Sequence, residues 1–186
     1  MKIEATALPG VMICEPEVFK DSRGFFLETY HARKYFDIGV KTVFVQDNRS
    51  RSTRSVLRGL HFQLHHPQAK LLSCIRGEIY DVAVDIRRGS PTFGKWVGAT
   101  LSEDNFKQIF IPAGFAHGFC VMSDIAEINY KCSEFYDHKD DRGIRWNDPE
   151  LGVEWPVTDP ILSEKDRRQP FLCEAELPLY NNTGGE

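Results

Sequence analysis

From about residue 41 to residue 132 the chain alternates short runs of β-branched and aromatic residues with Gly, Pro, Asn and Asp. That rhythm is the one expected of an antiparallel sandwich or barrel. The runs place strands at 42–46, 56–63, 71–76, 78–86, 95–101, 108–111, 118–122 and 126–132, a set that suits a jelly roll. Arg76-Gly77-Glu78 reads as a tight hairpin and 88–94 as a longer loop. Helical spacing is confined to 31–38, with Thr29 near its start and Gly39 as its C-terminal cap, and to a short turn at 163–168. Both are expected at the periphery. The fold class is therefore all-β, one domain over 1–186 with its core at about 40–135 and a loosely ordered tail at 174–186.

Composition narrows the partners more than the fold. A net charge of -4 and a pI near 5.9 give no bulk attraction to nucleic acid or an anionic membrane, so an anionic ligand must be held by a few local Arg and Lys. Cys14, Cys74, Cys120, Cys132 and Cys173 are odd in number and show no metal-like clustering, as expected of reduced thiols in a cytoplasmic protein. No apolar run approaches the roughly 18 residues of a membrane span, and Glu4, Pro9, Glu15 and Pro16 interrupt any secretory signal.

Two segments carry candidate chemistry. In Val56-Leu57-Arg58-Gly59-Leu60-His61-Phe62-Gln63, followed by Lys70, two cations and a histidine stand on strands that must bury one face. Such groups are tolerable only where their charges meet partners in a cavity. Strict alternation sends Arg58 and His61 to opposite faces, so a shared site requires a bulge near Gly59. The second segment is Pro112-Ala113-Gly114-Phe115-Ala116-His117-Gly118-Phe119. Metal-binding cupins take one ligand from a segment of this kind and others from an HxH pair, but here that pair reads His61-Phe62-Gln63. With only His65 or His66 able to substitute, no metal is expected. His65 and His66, before Pro67, read as loop residues.

Several ordered motifs resemble the dTDP-4-dehydrorhamnose 3,5-epimerase family. They are Asp21-Ser22-Arg23-Gly24-Phe25-Phe26-Leu27-Glu28, Phe44-Val45-Gln46-Asp47-Asn48-Arg49-Ser50, the Val56–Gln63 and Pro112–Phe119 segments, Asp81-Val82-Ala83-Val84-Asp85-Ile86-Arg87, Ser90-Pro91-Thr92-Phe93-Gly94, Tyr130-Lys131, Trp146-Asn147-Asp148-Pro149 and Leu162-Ser163-Glu164-Lys165-Asp166. The resemblance implies a cupin-like jelly-roll homodimer, without cofactor, acting on a dTDP-4-ketohexose. It implies His61 as general base with Asp166 paired to it, Lys70 near the C4 oxygen and Tyr130 as the acid. Arg23, Glu28, Gln46, Asn48, Arg58, His117 and Tyr136 match positions that contact the nucleotide sugar. The chain departs from the family pattern at His138 and Asp141, where Pro and Glu are usual. The competing readings are an epimerase acting at C3 or C5 alone, a metal-dependent cupin using His61, His65 and His117, and a non-catalytic sugar-nucleotide sensor.

Overall fold

The computed structural model describes residues 1–180. Their strands are β1 (Lys2–Ala5), β2 (Met12–Glu15), β3 (Val18–Asp21), β4 (Gly24–Leu27), β5 (Gln46–Thr53), β6 (Leu57–Gln63), β7 (Lys70–Arg76), β8 (Glu78–Asp85), β9 (Trp96–Ser102), β10 (Gln108–Ile111), β11 (Phe115–Val121), β12 (Ile125–Cys132) and β13 (Asp141–Gly143). The helices are α1 (Ala32–Asp37) and α2 (Glu164–Arg167). Two antiparallel sheets face each other, one in the order β1-β2-β10-β7-β12-β5 and the other in the order β13-β6-β11-β8-β9. This is the expected jelly roll. β3 and β4 form a separate two-stranded ribbon.

The core lies between the sheets. Ile13, Leu72, Ile109 and Ile128 from one sheet meet Ile79, Leu101, Phe115 and Phe119 from the other. A second apolar layer covers the outer face of the five-stranded sheet, where Leu60, Phe62, Val82 and Val84 pack against Ile144, Leu151 and Leu172. β8 and β11 are therefore dry on both faces, which explains their near-continuous apolar runs. On the far side, Tyr35 of α1 and Val40 pack onto Leu71 and Phe110 of the six-stranded sheet.

Three expectations need correction. The strand expected at 42–46 begins only at Gln46, because residues 40–45 cover the α1 cluster with Val40 and Phe44 while Val43 and Val45 face solvent. The expected hairpin at Gly77 is a corner between sheets: β7 belongs to one sheet and β8 to the other. A side chain at Gly77, whose φ is +72, would collide with the Ile125 carbonyl, so only glycine turns there. The tail is also less loose than expected. Arg88 donates its N–H to the Pro178 carbonyl at 2.8 Å, Tyr180 donates to the Arg88 carbonyl at 2.9 Å, and Ala175 is buried. Residues 181–186, the rest of that tail, lie outside the described residues.

Candidate active site

One end of the space between the sheets is polar. His61 on β6 and His117 on β11 are directly paired across the strands, and so are Arg58 and Phe119, but the register shifts between the two pairs. Three steps along β6 thus match two along β11, which is the bulge that a shared site requires. The strands can approach this closely because Gly59, at φ +127, has no side chain. A Cβ there would lie 2.5 Å from the Gly118 Cα. With the bulge, Arg58 and His61 line one cavity of about 430 Å³ together with Lys70, His117, Tyr130, Lys165 and Asp166. A neighbouring compartment shares His61, Lys70 and Tyr130 and adds Gln46, Asn48, Gln63, Tyr136 and Asp141.

Asp166 reaches this cavity from far along the chain. The segment before α2 is lashed to β6, with Leu57 donating to the Ile161 carbonyl at 3.0 Å and Ile161 donating to the Ser55 carbonyl at 2.8 Å. Ser163 then caps α2, its hydroxyl accepting from the Asp166 N–H at 3.0 Å and donating to Asp166 Oδ2 at 2.8 Å. Asp166 Oδ1 lies 2.5 Å from His61 Nε2. α2 is therefore not peripheral, as its shortness suggests, but carries a buried site carboxylate. Burial opposes the Asp166 charge, yet the His61 hydrogen bond and charge, the Ser163 hydroxyl and Lys165 outweigh it and hold the carboxyl below its ordinary range. An ionised Asp166 keeps the proton on Nε2 and leaves Nδ1 of His61 as the ring nitrogen with a free lone pair.

The remaining groups are tuned in complementary ways. Burial pulls the Lys70 ammonium below its ordinary range, with Cys132, Asp141 and Asp81 opposing that effect. Burial raises the Tyr130 phenol, so it keeps its proton and remains a donor. Arg58 is held by a hydrogen bond from Nε to Ser52 Oγ at 3.1 Å. Gln46 accepts from the Tyr136 N–H at 2.9 Å and donates to Asn48 Oδ1 at 3.0 Å. Tyr136 donates to Asp141 Oδ2 at 2.8 Å, and Lys165 pairs with the same oxygen.

Nine of the eleven expected site residues converge on the two compartments, and Arg23 and Glu28 do not. They belong to the β3–β4 ribbon and its exit, where Arg23 pairs with Asp21 and Glu28 with Lys34. Among the described residues the ribbon strands pair only with each other, and neither side chain lines the cavity of its own chain. Sequence reasoning missed Ser163, Lys165, Asp141 and Asp81. For Ser163 a signal existed, since Ser163-Glu164-Lys165-Asp166 has the form of a helix-capping box. His65 and His66 are exposed loop residues whose backbone N–H groups are held by Asp140 at 2.8–3.0 Å. Among the described residues no three His, Cys, Asp or Glu side chains are grouped as metal ligands would be.

A free imidazole nitrogen, a protonated phenol and the cations Arg58, Lys70 and Lys165 in one cavity can remove a proton beside a carbonyl, stabilise the oxyanion and return a proton. The family model described as dTDP-4-dehydrorhamnose 3,5-epimerase matches residues 5–174. The chain belongs to this family. It is 54% identical over 178 residues to the dTDP-4-dehydrorhamnose 3,5-epimerase of Shigella flexneri, covering 95% of this chain and 98% of that one. It is 39% identical over 186 residues to the dTDP-4-dehydrorhamnose 3-epimerase of Streptomyces niveus, covering 97% and 90%. The crystal structure of the dTDP-6-deoxy-D-glucose-3,5-epimerase of Legionella pneumophila, in complex with dTDP-4-keto-L-rhamnose, superposes with a TM-score of 0.94 at 45% identity. That match covers 97% of this chain and 98% of the Legionella epimerase chain. This epimerase-family fold extends over the whole described chain apart from its ends.

Proposed function

We propose that this chain epimerises dTDP-4-dehydro-6-deoxy-D-glucose at C3 and C5 to give dTDP-4-dehydro-L-rhamnose, without metal or organic cofactor. The observation that carries the reading is the His61–Asp166 pair opening onto the same cavity as Lys70 and Tyr130. His61 Nδ1 takes the proton from the carbon beside the C4 ketone, and the electron pair moves into the C4 oxygen. Lys70 lowers the energy of that enolate, Asp166 stabilises the imidazolium formed, and Tyr130 delivers a proton to the opposite face. Once His61 has released its proton to solvent and Tyr130 has regained one from it, the same two steps at the second flanking carbon complete the double inversion. Higher identity to the 3,5-epimerase than to the 3-epimerase supports action at both carbons.

Gln46, Asn48, Arg58, His117 and Tyr136 form the substrate-binding surround, with Arg58 suited to the diphosphate and Tyr136 to stacking. The working unit is a homodimer. Its support is the ribbon, which carries Phe19, Phe25 and Phe26 more than half exposed, an apolar patch of the kind that marks an interface. In such a dimer Arg23 and Glu28 serve the nucleotide bound to the other copy, which reconciles their chemistry with their distance from their own cavity. The five free cysteines support a reducing, cytoplasmic setting.

The decisive experiment incubates the enzyme with dTDP-4-dehydro-6-deoxy-glucose in D2O and follows C3 and C5 by NMR, coupled to a reductase for dTDP-L-rhamnose. Deuterium at both carbons and formation of dTDP-L-rhamnose are expected, undiminished after chelator treatment. Exchange at one carbon only would restrict the reaction to a single inversion, and loss of exchange with chelator would overturn the cofactor-free mechanism.

A further inference from the structure

The Asp81–Arg87 motif contributes no residue to the reaction above, yet its two carboxylates are the most deeply buried among the described residues, each 0% exposed. They are treated very differently. Asp85 is fully engaged: Arg87, Ser90 and Thr92 donate to its two oxygens at 2.5–2.8 Å. That is a loop-pinning arrangement, with every acceptor used. Asp81 faces the space between the sheets, between Ile79 and Ala83 of the apolar core. Its Oδ2 meets His117 Nε2 at 2.8 Å, while its Oδ1 is the one buried side-chain oxygen or nitrogen among the described residues with no hydrogen-bond partner.

A carboxylate held dry with an unused oxygen is a poor stabilising device, because desolvation is incurred and not returned. A residue serving only the fold would be better replaced by an apolar one. What Asp81 does supply is direction. A carboxylate on one nitrogen of an imidazole obliges that nitrogen to carry the proton and fixes which nitrogen faces the ligand.

We propose that Asp81 is a positioning residue of the epimerase site: it locks His117 as the Nε2–H tautomer, so that His117 presents Nδ1 to the cavity as an acceptor for a hydroxyl of the bound sugar. The cavity then holds two imidazole–carboxylate pairs on adjacent strands with separate tasks. His61, backed by Asp166, moves protons; His117, backed by Asp81, orients the sugar by accepting from it. This assignment rests on the proposed epimerase reaction for its kinetic consequence but not for its structural one.

Long-range 1H–15N NMR of the wild-type protein at neutral pH reads the tautomer directly. Protonated Nε2 and unprotonated Nδ1 on His117 are expected; an Nδ1–H tautomer or a doubly protonated ring overturns the proposal. Asp81→Asn allows the amide N–H to face Nε2 and moves the ring proton to Nδ1. With Tm unchanged or raised, kcat/KM is expected to fall about 10–100-fold, the usual range for a group that orients a site residue. In a His117→Gln background the same substitution should cost less than about twofold, since its effect passes through the ring. An equal loss in both backgrounds, or a lowered Tm with wild-type kcat/KM, would mark Asp81 as structural and overturn the proposal. If Asp81→Asn does not fold, the wild-type spectrum still decides. A wild type with no exchange at C3 or C5 would sink the proposed reaction and leave the tautomer result standing.

Discussion

The two histidine–carboxylate pairs look into one cavity from neighbouring strands, yet they are assembled by different means. His61 is 28% exposed at its side chain and takes its carboxylate from 105 residues away, on a four-residue helix laid against the sheet edge. His117 is 9% exposed and takes its carboxylate from the adjacent strand, 36 residues away, inside the barrel. Asp166 has both oxygens engaged, by His61 and Ser163, whereas Asp81 has one. The pair with the more open ring and the satisfied carboxylate is suited to cycling a proton. The enclosed pair is suited to holding one arrangement. A proton-transfer group needs a partner that tolerates a change of charge, whereas a group that only accepts from the sugar needs its own proton held on one nitrogen.

That contrast is broken most severely at the open pair. His61→Ala should lower exchange at both C3 and C5 by about 10³-fold or more, in the upper range for loss of a general base, as read by deuterium incorporation. Wild-type exchange in this variant would refute His61 as the base. Asp166→Asn should lower kcat/KM by about 10²-fold or more through loss of ring orientation and imidazolium stabilisation. The same variant tests the carboxylate's charge. Because its folded pKa is lowered from 3.8, the stability Asp166 contributes is present above that value and lost as pH falls through the lower folded one. Acid unfolding followed by circular dichroism should therefore be shallower in Asp166→Asn than in wild type; an identical profile would show that the charge is not linked to folding.

Tyr130→Phe separates deprotonation from inversion. Exchange should remain measurable while formation of the inverted product falls by about 10²-fold, the low end for a general acid. Stability should change by less than about 1 kcal/mol, because the phenol oxygen has no hydrogen-bond partner among the described residues. Equal loss of exchange and product would remove the distinction between base and acid. The smallest effect is expected at Ser163→Ala, which deletes both the α2 cap and a bond to Asp166. A loss of about 1 kcal/mol in denaturant unfolding is the usual value for a cap, with a drop of only a few-fold in kcat/KM. A loss as large as that of Asp166→Asn would make the cap, and not the carboxylate, the orienting element.

Legibility followed burial. Strands with an apolar face, such as β7, β8, β10 and β12, stand within about two residues of where their hydrophobic runs place them. β5 lies beyond the expected 42–46 because its sequence, QDNRSRST, contains no apolar residue at all. Its inward side chains Gln46, Asn48 and Ser50 line the cavity and not the core, so the period of two is present in burial but absent in hydrophobicity. The same inversion hides functional elements in general: where a sheet faces a ligand, the inner face is polar. β7 and β8 were individually readable, but a glycine corner between sheets and a hairpin within one sheet share the same letters.

By itself the sequence determined the all-β class, most of the strands and the two histidine segments, because alternation of apolar residues and the cost of burying charge act over a few neighbouring positions. The family motifs added the pairing of His61 with Asp166 as an expectation. Only the tertiary structure decided that a bulge at Gly59 turns Arg58 and His61 to one side, that α2 delivers Asp166 to the ring, and that Asp81 stands alone beneath His117. Those are relations between segments tens of residues apart, set by sheet register and strand closure, and no local pattern encodes them.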